Sequence, residues 1–187
     1  MISKKVLVAF GSRWGSTEGI AYELSMMLKH VGLNTTVINL RQINHDHWPA
    51  VDEFGAIILG TGIRIGQWTK EVKEYLKKNK EKLVKGEITL GFFISCGYAS
   101  DPKYYPIAIR DFIEKGFRKI GIKPDMYEAF GGIFDYSDNS KLTSLDRKIL
   151  RLGARDLCMK IGFNDKNDYR NWERVREFST KINRLVG

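Results

Sequence analysis

Short apolar runs alternate along this chain with stretches whose apolar residues recur at helical spacing, and few folds accept that alternation. Val6–Phe10 is a continuous apolar run, as expected for a strand buried on both faces. From Thr17 to Val31, Ile20, Leu24, Met27, Leu28 and Val31 fall on one helical face, and Gly32 sits where a C-cap glycine belongs. Thr35–Leu40, rich in β-branched residues, reads as a second strand, and Ala56–Leu59, ending at Gly60, as a third. Val72, Tyr75, Leu76 and Leu83 fit a helix through a lysine-rich segment, and Thr89–Ser95 a fourth strand. Ile109, Phe112, Ile113, Phe117 and Ile120 mark another helix, and Tyr127–Phe134 supplies a fifth strand. Trp172, Val175, Phe178, Ser179, Ile182 and Leu185 close the chain as an amphipathic helix. Strands that alternate with helices predict an α/β fold with a parallel sheet covered on both faces. Five strands fit the doubly wound order 2-1-3-4-5, whose ligand site lies at the carboxyl ends of the strands.

At 187 residues the chain suits one domain, residues 1–187, with a core large enough to need no metal or disulfide staple. Two cysteines, Cys96 and Cys158, are too few for a disulfide framework and fit a reduced, cytoplasmic protein. No stretch approaches the roughly 20 apolar residues that span a bilayer, and MISKKVLVAF lacks a signal-peptide pattern. Lys+Arg 31 against Asp+Glu 22 gives a formal charge of +9. That balance suits a polyanionic partner (nucleic acid, anionic lipid or an acidic substrate), or a well-solvated basic surface with no partner.

The strand-to-helix loops are where chemistry is expected. The first is Gly11-Ser12-Arg13-Trp14-Gly15-Ser16-Thr17. Its small residues let the backbone wrap closely, and Ser12, Ser16 and Thr17 offer hydroxyls at the positive end of a helix. A phosphate cradle is the expectation, an ordinary Ser-capped helix start the alternative. No lysine follows a glycine as in a P-loop, so a nucleoside triphosphate with magnesium is not expected. The second loop, Gly60-Thr61-Gly62-Ile63-Arg64-Ile65-Gly66-Gln67-Trp68, has glycines at the wrong spacing for a dinucleotide fingerprint. Glycines beside apolar residues and an arginine suit the reception of a flat ring, or else a flexible turn. The third loop is Ser95-Cys96-Gly97-Tyr98-Ala99-Ser100-Asp101-Pro102. Tyr98 there either stacks on a planar ligand or packs on its own loop. Cys96 has no nearby histidine and no phosphatase-loop arginine, so it reads as a small buried residue.

His45-x-His47 has no further ligand to complete a metal site, so a solvated loop is expected and no metal. A nucleic-acid-binding module would account for the charge but leaves all three strand-end loops unexplained. No nucleic-acid partner is therefore expected.

Taken together, the three loops resemble those of the flavodoxins. The resemblance implies that Ser12-x-x-Gly15-x-Thr17 holds the phosphate of FMN, with Arg13, Trp14 and Ser16 in the same turn. It implies further that Thr61, Gly62, Ile63, Arg64, Ile65 and Gly66, with Ser95, Cys96, Gly97 and Tyr98, surround the isoalloxazine. Flavodoxins commonly have threonine where this chain has Trp14. Over nearly the whole chain the sequence also resembles the menaquinone-dependent protoporphyrinogen dehydrogenases, FMN enzymes of the same fold. Phe10–Thr17, Gly60–Trp68, Gly131-Gly132-Ile133-Phe134 and the closing Asp168-x-x-x-Trp172-Glu173-x-Val175 carry that likeness. It implies an oxidoreductase that passes electrons from protoporphyrinogen IX or a similar reduced substrate to a quinone-like acceptor. Arg64 would then tune the flavin or orient substrate. The alternative is a flavodoxin-type carrier serving protein redox partners.

Two further features bear on function. Residues 135–168 form an insertion before the last helix, longer than the roughly 2–6 residues that a simple crossover joint needs. From Lys141 to Gly162 it reads as a helix with Leu142, Leu145, Ile149 and Leu152 on one stripe, Leu150, Leu157 and Ile161 beside it, and Arg147, Lys148, Arg151 and Arg155 opposite. Such a helix lies against an anionic membrane, making the protein peripheral to the inner face of the cell membrane, or flanks an acidic substrate, or packs on its own domain. The candidate flavin loops also carry Arg13 and Arg64 against one acid, Asp101. Cations near the ring favour an anionic reduced flavin and predict a potential above that of acidic flavodoxins.

Overall fold

The computed structural model describes residues 5–137, 140, 142–156 and 166–187, with the backbone alone at 154–156. Five strands, β1 (Lys5–Gly11), β2 (Asn34–Asn39), β3 (Ala56–Gly62), β4 (Thr89–Ser95) and β5 (Met126–Phe130), pair in parallel in the order β2-β1-β3-β4-β5. This is the doubly wound arrangement that the alternation predicts. After Lys5, β1 is apolar because it sits mid-sheet with helices on both faces, and Val6 to Phe10 are fully buried.

Alternate residues of each strand feed two cores. Val6, Val8, Phe10, Ile58, Phe93 and Phe130 pack against helix α1 (Ser16–His30) and the closing helix α7 (Trp172–Val186). Leu7, Ala9, Ile57, Leu59, Phe92 and Ile94 pack on the other side against α2 (Lys70–Lys78), α3 (Lys80–Val84) and the helical segment after β4. That segment starts as α4 (Tyr105–Ile107), runs through a π-helical stretch Ala108–Glu114 and ends as α5 (Lys115–Ile120). In it the Phe112 carbonyl accepts a hydrogen bond from the Trp68 indole. Gly32 takes φ +87, and the Leu33 N–H bonds back to Leu28 at 3.0 Å, closing α1 as the glycine predicts.

Three expectations need correction. The lysine-rich helix is two helices, because Asn79 turns its amide onto the Tyr75 carbonyl (2.9 Å) and ends α2. The next helix begins earlier than its apolar spacing suggests, at Tyr105, and is π-wound over the seven residues Ala108–Glu114. Most important for the site, Tyr127–Phe134 is not one strand. β5 ends at Phe130, Gly131 and Gly132 turn the chain, and β6 (Ile133–Asp135) leaves the sheet to pair antiparallel with β7 (Lys166–Asp168).

Within the insertion, α6 spans Ser144–Asp156; Leu157, Cys158, Ile161 and the remainder of the expected 141–162 helix lie outside the described residues. Its buried side differs from the leucine stripe. Asp146 is buried, Ile149 and Leu150 are half-buried, and Leu145 and Leu152 are exposed. Arg147 turns inward and donates to the Tyr136 and Ser137 carbonyls, each at 2.9 Å.

Candidate functional site

A narrow cleft opens at the carboxyl ends of β1, β3 and β4, where the sheet order reverses. Its floor is the β1–α1 turn. Gly15, at φ +94, supplies a left-handed kink that few side chains tolerate, and its N–H donates to Ser12 Oγ at 3.0 Å. No described side chain caps α1. The first-turn amides at Ser16, Thr17 and Glu18 therefore lack helical partners at the positive end of a 15-residue helix, as an anion site requires. Ser12, Arg13, Trp14, Ser16 and Thr17 all line the cleft. Ser16 Oγ also accepts the Ile133 N–H at 2.8 Å, tying the turn to the chain that leaves β5. Burial pushes the Arg13 guanidinium down from its ordinary value, and Arg41 and Arg64 push it the same way.

The walls come from the other loops. Gly62 and Ile63 follow β3, and Ser95, Cys96 and Gly97 follow β4. The Ile63 N–H bonds to the Ser95 carbonyl at 3.1 Å, which ties these two loops together. A Cβ on Gly62 would stand 3.2 Å from Thr17 Oγ1, so a bare backbone here lets the wall approach the floor closely. Burial pushes the Cys96 thiol up to about 12.

Thr61, Arg64, Ile65, Gly66 and Tyr98 do not line the cleft. Thr61 is fully buried and its hydroxyl accepts the Thr69 N–H at 2.9 Å, anchoring the base of the second loop. Arg64 and Gln67 exchange backbone hydrogen bonds at 3.1 and 3.0 Å around Ile65 (φ +50) and Gly66 (φ +66). The expected flat-ring receiver is thus a two-residue hairpin with both central residues at positive φ, and its tip projects an exposed Ile65. Tyr98 packs edge-on against Phe112, with ring centroids 5.3 Å apart.

Two parts of the cleft were not singled out from the sequence as site residues. Gly132, Ile133 and Phe134 form one side of it, and Leu150 of α6 another. The Gly131-Gly132 pair was the available signal, since paired glycines in a strand mark a bend or a close approach. Leu150 had none. What brings it there is Asp146, four residues earlier on α6, whose carboxylate meets the Arg64 guanidinium at 2.9 Å and accepts from the Trp14 indole. Thr143 and Asp146 also cap one another at the start of α6, at 2.8 and 3.1 Å. Burial pushes the Asp146 carboxyl up, but the Thr143 bonds, the Arg64 charge and the Trp14 bond outweigh it and hold it below the usual range. One carboxylate thus fastens the insertion to both the first and the second loop. Exposed His45 and His47 lie in a short 3-10 turn, with the His45 ring against Trp48.

Comparison with known proteins agrees with the fold. The chain is 24% identical over 182 residues to the protoporphyrinogen IX dehydrogenase [quinone] of Escherichia coli K12, covering 97% of this chain and 96% of that protein. A flavodoxin variant from Fusobacterium nucleatum bound to flavin mononucleotide superposes with a TM-score of 0.54 at 14% identity, over 99% of this chain and 98% of that one. The rubredoxin:oxygen oxidoreductase of Desulfovibrio gigas superposes with a TM-score of 0.55 at 18% identity; it covers 97% of this chain, which spans 36% of that larger protein. Both likenesses show a shared fold. The profile of the family described as "Flavodoxin domain" matches residues 7–157, and the chain belongs to that family.

Proposed function

We propose that the cleft holds FMN and that the protein is an FMN-dependent oxidoreductase, taking electrons from a reduced organic substrate of the protoporphyrinogen type and delivering them to a quinone-like acceptor. The observation that carries this reading is the α1 N-terminus: uncapped amides with Ser12, Thr17 and Arg13 around them, at the sheet's switch point, fit a phosphate monoester. Apolar Ile63, Ile133, Phe134 and Leu150, with Gly62, Gly97 and Gly132 giving a bare backbone, fit the flat ring that the monoester would carry. Bound flavin supplies the electron chemistry. The chain's own groups bind and orient: the first turn holds the phosphate, the joined second and third loops hold one edge of the ring, and α6 shields it from water. Support for the enzyme over a carrier is the E. coli relative, matched along nearly its full length.

The test is anaerobic oxidation of protoporphyrinogen IX by the FMN-loaded protein with a menaquinone analogue, followed by porphyrin fluorescence. A rise that needs protein, FMN and quinone together supports the enzyme. FMN binding without porphyrin formation leaves the flavodoxin-type carrier.

A peripheral membrane contact belongs to the same proposal. Among the described residues no helix is long and apolar enough to cross a membrane. The outer side of α6 instead presents Leu145, Lys148 and Leu152 to solvent, apolar residues beside a cation. Cosedimentation with phosphatidylglycerol vesicles but not with neutral ones is the expected outcome; equal recovery with both removes the contact.

A further inference from the structure

Outside the cleft, the described residues form a second concavity of about 450 Å³ between α2 and the helical segment ending in α5. Lys73 and Lys77 stand on one wall, Lys115 and Lys119 on the other. Its one lining carboxylate, Asp111, accepts from Arg110 Nε and Nη2 at 2.9 and 2.8 Å. Lys73 is drawn to the end of the groove by Gln67 Oε1 at 2.8 Å. Burial and the repulsion of Lys77, Arg13 and Lys119 lower its affinity for its own proton, as expected where cations crowd. The base is apolar, made by half-buried Phe112 and half-buried Ile120 over the buried Trp68 ring, which packs directly against the bare backbone of Gly116.

We propose that this groove binds the carboxylates of an apolar molecule bearing two or more of them, and that it holds the anionic end of the substrate. Four ammonium groups around an aromatic base suit a ligand that combines negative charge with a broad apolar body, and suit a compact hydrophilic anion poorly. The hairpin joins groove to cleft. Ile63 lines the cleft, Gly66 and Gln67 line the groove, and Ile65 stands exposed at the tip between them. A molecule anchored by its carboxylates in the groove lies across Ile65 with its body toward the cleft. The assignment rests on the proposed reaction only for which molecule supplies the carboxylates.

The experiment titrates the FMN-loaded protein with deuteroporphyrin IX, a soluble porphyrin with two propionates, and with its dimethyl ester, reading fluorescence anisotropy. Lys73→Gln and Lys119→Gln take one cation from each wall. Both lie on the protein surface, and circular dichroism checks that the variants fold. The diacid is expected to bind, the double variant to bind it at least tenfold more weakly with a shallower salt dependence, and the ester to be insensitive to both substitutions. Unchanged diacid affinity in the double variant, or equal loss for diacid and ester, overturns the groove. Loss of diacid binding in a protein that shows no protoporphyrinogen turnover upholds the groove and overturns the reaction instead.

Discussion

Asp146→Asn is expected to release α6 from the cleft, speeding both amide exchange along residues 144–153 and FMN dissociation about tenfold. The carboxylate joins three partners contributed by three segments: Arg64 on the hairpin, Trp14 on the first loop and Thr143 at its own helix start. Asparagine keeps an oxygen for Thr143 and Trp14 but loses the charge that faces Arg64. A hydrogen bond between charged groups at a partly exposed site contributes about 1.5 kcal/mol, close to one decade in an equilibrium. Thr143→Ala is the control, because it weakens the helix start and leaves the Arg64 pair in place. If Thr143→Ala speeds flavin release as much as Asp146→Asn does, the link across the cleft contributes nothing beyond the cap. The pH dependence has a definite sign. The folded-state value of Asp146 lies below its unfolded value of about 3.9, so its contribution is complete above that point and is lost as pH falls through the lower folded value. Exchange along α6 should therefore be level between pH 5 and 8 and rise only in acid.

Gly131→Ala should be the most damaging small substitution near the site. An added Cβ would lie 2.1 Å from the backbone oxygen of Tyr169, a contact that no side-chain rotation relieves. Tyr169 is fixed in turn by its own N–H bond to the Gly132 carbonyl at 3.0 Å and by the Phe134 ring. Either the chain leaving β5 or the segment after β7 has to move. Forced overpacking of this kind costs about 3 kcal/mol, near 9 °C in melting temperature for a chain of this size. Because Gly132 and Ile133 line the cleft, FMN affinity should fall as well. Gly153→Ala offers the contrast: it lies in α6 with nothing within 4 Å of its added carbon, and alanine there should be neutral or slightly stabilising. A Gly131→Ala protein melting with the parent would show that the two segments are not in register as described.

What could be read in the sequence was what neighbouring residues decide. The sheet order follows from alternation, the end of α1 from Gly32, and the tight turn that floors the cleft from the small residues between β1 and α1. Each depends on residues within a turn or two of one another. The parts that escaped depend on distant partners. Nothing near Phe130 says that β6 will pair with β7, since that pairing involves three residues from each side, more than 30 positions apart. Arg64 read as a free cation beside the flavin because its counter-charge, Asp146, lies in another segment, and the expected rise in flavin potential loses much of its Arg64 contribution once the two are 2.9 Å apart. The leucine stripe of α6 was misassigned for the same reason: burial of Asp146 and Arg147 rotates the helix and turns Leu145 and Leu152 outward.

The cleft wall also includes the Cys96 sulfur, which under the proposed function lies near a flavin that oxygen reaches. Peroxide released at such a site attacks thiolates and scarcely touches thiols. Burial pushes the Cys96 thiol up to about 12 and keeps it in the thiol form at neutral pH. Under the proposed function, the wall of the cleft therefore presents its sulfur in the form that peroxide attacks slowly.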